Sequence, residues 1–84
     1  MSQIEKLKER LKNRPKDFSW DELSTLLGKL GYNEHKKGKT GGSRRKFVGA
    51  TGDIISLHKP HPGTILKAYQ VNQIIDHLNE KGLL

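Results

Sequence analysis

Residues 32–58 read YNEHKKGKTGGSRRKFVGATGDIISLH, and within them the helical period of the flanking segments disappears. Gly38, Gly41, Gly42, Gly49 and Gly52 cut the stretch into pieces of strand length joined by tight turns. Three short strands are expected, near 32–37, 43–48 and 53–58. On the middle strand Ser43, Arg45 and Phe47 alternate with Arg44, Lys46 and Val48. Neither face is purely apolar, so the pattern leaves open which set is buried. Either way, an arginine projects from this strand close to its turn.

Working outward, helices are expected on both sides. Ser19 followed three residues later by Glu22 forms a capping box, and Phe18 and Leu23 stand at the positions of a hydrophobic staple. Leu23, Leu26, Leu27 and Leu30 then make an i, i+3, i+4, i+7 stripe that Gly31 ends. Upstream, Ile4, Leu7 and Leu11 share one face of a short amphipathic helix over residues 3–12, stopped by Asn13, Arg14 and Pro15. Downstream, Val71, Ile74, Ile75 and Leu78 mark a last helix ending at Gly82, with Leu83 available for the apolar contact of the cap. This order predicts an α+β fold, a three-stranded antiparallel sheet with helices on one face and the other face free.

The chain has 84 residues, enough for one domain with a modest core, since apolar residues make up 32% and charged residues 30%. The absence of cysteine excludes a disulfide framework and a thiolate metal site. His35, His58, His61 and His77 alone make a poor zinc set, so neither metal nor cofactor is expected. No signal peptide or apolar run of membrane-spanning length is visible, which points to the cytoplasm.

Sixteen Lys and Arg against nine Asp and Glu give a net charge of +7, a field that attracts polyanions. Lys36, Lys37, Lys39, Arg44, Arg45 and Lys46 stand together with no acidic residue among them. Such a run reads either as a solvated surface or as a phosphate-binding one. The turn Gly38-Lys39-Thr40-Gly41-Gly42-Ser43 lets backbone N–H groups approach an anionic oxygen. Gly38-Lys39-Thr40 has the tail of a nucleotide-binding P-loop, but Asn33 stands where that motif needs glycine and a strand follows instead of a helix. A DNA major-groove reader is disfavoured because no helix carries a basic stripe.

Several residues taken together resemble the HicA family of toxins. They are a leucine-rich helix ending in Leu30-Gly31-Tyr32, Gly42-Ser43 opening a basic strand with Phe47, a strand ending near His58, and His61-Pro62-Gly63 before the final helix. The resemblance covers most of residues 18–82, so that 1–15 reads as an N-terminal helical extension and 16–84 as the HicA-like domain. It implies a fold like that of double-stranded-RNA-binding domains, an mRNA interferase activity, and neutralisation by a HicB-like antitoxin. In the family's usual Gly-Ser-His pattern the histidine is regarded as catalytic, whereas here Arg44 follows Gly42-Ser43. No catalytic histidine transfers to position 44.

The remaining acid–base candidates are His58 and His61, held near one another by Pro60 and Pro62. They read either as the base and acid of a cleavage reaction or as ordinary polar loop residues. Arg44 is the candidate transition-state stabiliser, and Lys36, Lys37, Lys39, Ser43, Arg44, Arg45, Lys46 and Lys59 are the candidate RNA contacts. A non-catalytic RNA-binding module is the alternative function. Phe18 and Trp20 carry rings of the kind that stack on bases, but they sit at a capped helix start and are expected in the core. His77 is expected at the surface or in a cap.

Overall fold

In the computed structural model, which describes residues 3–36, 44–60 and 63–84, the elements run α1 (Gln3–Lys12), α2 (Trp20–Lys29), β1 (Tyr32–Lys36), β2 (Arg44–Gly49), β3 (Ile54–His58) and α3 (Ala68–Glu80). The three strands form an antiparallel sheet in the order β1-β2-β3. The helices gather on its core side, so the fold is the α+β, double-stranded-RNA-binding-domain-like arrangement that the sequence predicts.

Helix ends follow from local chemistry. The Glu22 amide donates to Ser19 Oγ at 3.1 Å while Glu22 Oε1 accepts the Ser19 amide at 3.0 Å, which completes the capping box of α2. At the end of α3, the Leu83 amide reaches the Leu78 carbonyl at 2.8 Å and the Gly82 amide reaches Asn79 at 3.0 Å. That pair of bonds is a Schellman motif, and it requires the left-handed φ of +72° that Gly82 supplies.

The ambiguity of β2 is resolved by packing. Phe47 is buried against Trp20, with ring centroids 5.5 Å apart, and faces the helices together with Tyr32, Ile55 and Leu57. Tyr32 pairs with Gly49 across the sheet. A Cβ at position 49 would come within 3.1 Å of the Tyr32 ring, so the glycine makes room for the aromatic.

Leu7 and Leu11 of α1 lie in the same core as Leu23, Leu26, Ile74 and Leu78. Arg10 fastens α1 to α2 through Glu22, with Nε to Oε2 at 2.6 Å, and through Asp17 at 3.0 Å. A two-residue bridge adds a further tie. Trp20 donates to the Thr64 carbonyl at 2.7 Å and Leu66 to that of Phe18 at 2.8 Å. Phe18 and Trp20 are buried, as expected. No described helix is long and apolar enough to cross a membrane.

Candidate functional site

Antiparallel register decides which polar residues meet. β2 pairs Arg44 with His58, Arg45 with Leu57 and Lys46 with Ser56, while β1 sets His35 opposite Lys46 and Lys36 opposite Arg45. His35, Lys46 and Ser56 therefore form one row across the sheet face turned away from the helices. His35, Ser56 and His58 are exposed, and Lys46 and Lys59 are half-buried.

Arg45 has a different setting. It shares the helix-facing side with Phe47, and its Nε lies 3.5 Å from Glu34 Oε2, so part of its charge is offset. Lys37, Lys39, Ser43 and His61 lie outside the described residues.

The strand end bearing His58 is pinned from below. Gln70 is buried, at 2% exposure, and both ends of its amide are used. Its Nε2 donates to the His58 carbonyl at 2.7 Å and its Oε1 accepts the Lys67 amide at 3.0 Å. One side chain thereby holds the end of β3 against the first turn of α3 and satisfies two backbone groups. Gln at the third position of a helix is a recognisable sequence signal, but it is obscured here because Lys67, not a Ser or Thr, stands at the cap.

A second polar cluster occupies the opposite end of the β2–β3 hairpin. The Asp53 carboxylate accepts from the Tyr32 hydroxyl and from His77 Nε2 at 2.7 Å, and Lys81 Nζ lies 3.6 Å away. An ionised carboxylate only accepts, so His77 Nε2 carries the proton in this bond. The bonds from Tyr32 and His77 hold the Asp53 carboxyl down at about 2, while burial and the adjacent carboxylate push the Tyr32 phenol up to about 12. With its donors in place, this cluster acts as a clamp joining β1, the β2–β3 turn and the last turns of α3. His77 is thus a tertiary contact. No local motif announces it, since its partner Asp53 is 24 residues away in sequence. Among the described residues no group of three His, Asp or Glu side chains is arranged to hold a metal.

The family model described as HicA toxin of bacterial toxin-antitoxin matches residues 20–79, well over half of the chain. The chain belongs to the HicA toxin family. Neither the curated proteins nor the solved structures compared with it gave a match. The HicA match begins at the first residue of α2 and ends within the last turn of α3, so α1 and its linker precede it.

Proposed function

We propose that this HicA-family chain binds messenger RNA at the basic edge of its sheet and cleaves it, blocking translation, and that a HicB-like antitoxin neutralises it by covering the same surface. The observation that carries this reading is the cross-strand pairing of Arg44, the first described residue after the basic 37–43 stretch of the sequence, with His58, which Gln70 backs.

Cleavage in this scheme uses the ribose 2′-OH as nucleophile. A base takes its proton as it attacks phosphorus, and an acid protonates the departing 5′-oxygen, leaving a 2′,3′-cyclic phosphate. An arginine stays protonated at physiological pH, so Arg44 serves as the stabiliser of the charged phosphorane and not as the base. His58 and His61 supply base and acid, and Lys36, Lys37, Lys39, Ser43, Arg45, Lys46 and Lys59 hold the strand.

Purified protein is expected to cut RNA in the presence of EDTA and to lose about 10²- to 10⁴-fold in rate on His58→Ala or His61→Ala. Parent-like rates in both variants would remove the histidines from the chemistry. The replacement of the family's usual histidine by Arg44 favours a second reading, a non-catalytic RNA-binding module. That reading takes over if the parent binds RNA but cuts no faster than a mock purification. In either case antitoxin and RNA are expected to exclude one another, and a ternary complex on gel filtration would count against masking.

A further inference from the structure

A cavity of about 480 Å³ opens between the linker after α1 and the first turn of α3, floored by Leu66 and Val71 and rimmed by Arg14, Lys16, Lys67 and Asn72. Three rim residues are cations, and no carboxylate lines the cavity. Elsewhere the fold sets carboxylates against its cations, pairing Arg10 with Glu22 and Asp17, Arg45 with Glu34, and Lys81 with Asp53. Among the described residues none of Arg14, Lys16 and Lys67 has such a partner. Three exposed positive charges converge on one cavity with no carboxylate among its lining residues, which gives it a field that attracts anions.

Arg14 shows the same bias in its backbone. It closes α1 through an amide bond to the Leu11 carbonyl at 2.9 Å and adopts a left-handed φ of +50°, where glycine or asparagine is the comfortable choice. Its guanidinium donates to Asn72 Oδ1, a second lining residue and a neutral acceptor that leaves the charge uncancelled. The first turn of α3 carries no acidic residue, so the helix end adds a partial charge of the same sign.

Position gives the cavity its context. Gln70 bonds to both Lys67 and His58, so the cavity lies next to the end of β3. Its volume falls in the range of about 300–1,000 Å³ typical of small-ligand sites, which combine apolar walls with a few convergent polar groups. A nucleotide matches that composition, with its phosphate for the three cations and its base for the accessible apolar surface of Pro15 and Ala68 above the buried Leu66 and Val71.

We propose that the cavity is a nucleotide subsite that receives one nucleotide of the RNA strand held at the Arg44–His58 end of the sheet. The inference rests on the RNA-binding reading above and extends it to a substrate contact. Arg14 and Lys16 precede residue 20, so two of the three cations lie outside the family match.

The test uses the full chain and a fluorescein-labelled single-stranded RNA of about ten nucleotides, within the usual site size of such binders. Three proteins are compared by anisotropy across a salt series. They are the parent, a cavity variant (Arg14→Gly, Lys16→Gln, Lys67→Gln) and a sheet variant (Lys46→Gln). The cavity variant is expected to lose about tenfold in affinity and to lower the magnitude of the salt slope by about 1. Its unfolding midpoint should stay at or above that of the parent, because glycine relieves position 14. A structural role for Arg14 would lower the midpoint instead. In parallel, the methyl resonances of Val71 and Leu66 are followed by NMR with RNA and with AMP alone. Shifts with RNA and little response to millimolar AMP support a strand nucleotide. Equal saturation by AMP overturns that in favour of a free-mononucleotide site. Parent-like RNA binding by the cavity variant, with weakened binding by the sheet variant, overturns the subsite alone. Absence of RNA binding by the parent overturns both readings.

Discussion

Replacing Asp53 by asparagine should convert an acid-sensitive clamp into an acid-insensitive one. The Asp53 carboxyl sits at about 2 in the folded chain, against about 3.9 in an unfolded one. A group whose folded value is depressed stabilises the protein above its unfolded value and loses that contribution as pH falls through the folded value. With about 1.4 kcal/mol per pH unit, the difference corresponds to roughly 2–3 kcal/mol, present at pH 7 and lost progressively between about pH 5 and pH 2. The side chain is 13% exposed, so solvent screening removes little of it. Urea unfolding of parent and Asp53→Asn at pH 7, 5, 3 and 2 should show a gap of about 2–3 kcal/mol at neutrality that closes at the acid end. The Glu22 carboxyl is also lowered, chiefly by its bond to Arg10, and titrates in both proteins. The difference between the two proteins therefore isolates Asp53. Tyr32→Phe removes the largest cause of the depression, so the carboxyl should titrate at higher pH. A gap that stays constant from pH 7 to pH 2 would refute the clamp as an ionic device.

Three further outcomes follow from the packing and the register. Leu11 is fully buried in the shared core, so Leu11→Ala should destabilise the whole chain by about 2 to 5 kcal/mol; a chain beginning at residue 13 with an unchanged melting midpoint would show that α1 is dispensable. Gln70→Ala strands the His58 carbonyl and the Lys67 amide, and should cost about 2 kcal/mol in chemical denaturation; a loss below about 0.5 kcal/mol would mean that solvent satisfies both groups. If about four phosphates are held, single-strand RNA affinity should fall with a log–log salt slope near −3. Lys46→Ala should then flatten the slope more than Arg45→Ala, because Glu34 already offsets Arg45; equal effects would place both side chains on the binding surface.

The helices and strands were legible in the chain because their signals are local. The Ser19–Glu22 capping box, the leucine stripe of α2 and the Gly82 stop each act within a few residues, and each is realised in the structure. The order of elements then left few ways to build a sheet with helices on one side, and the spacing of Gly42-Ser43, Phe47 and His61-Pro62-Gly63 was enough to suggest the family that the match over residues 20–79 shows. Charge density was equally plain, since the six cations between Lys36 and Lys46 need only be counted.

What the chain alone left open depended on contacts between distant segments. Alternation on β2 permitted two inward faces, and Phe47 packing on Trp20 selected one, turning Arg45 toward Glu34 and Lys46 outward beside His35 and Ser56. The Tyr32–Asp53–His77 clamp, the two bonds of Gln70 and the cavity between Arg14 and Lys67 likewise join elements far apart in sequence. A capping or turn signal carries its free energy within one turn of chain, whereas each of these contacts exists only after the sheet register and helix packing have brought its partners together. Sequence therefore determined the elements and their family, and tertiary structure decided which polar side chains share a surface.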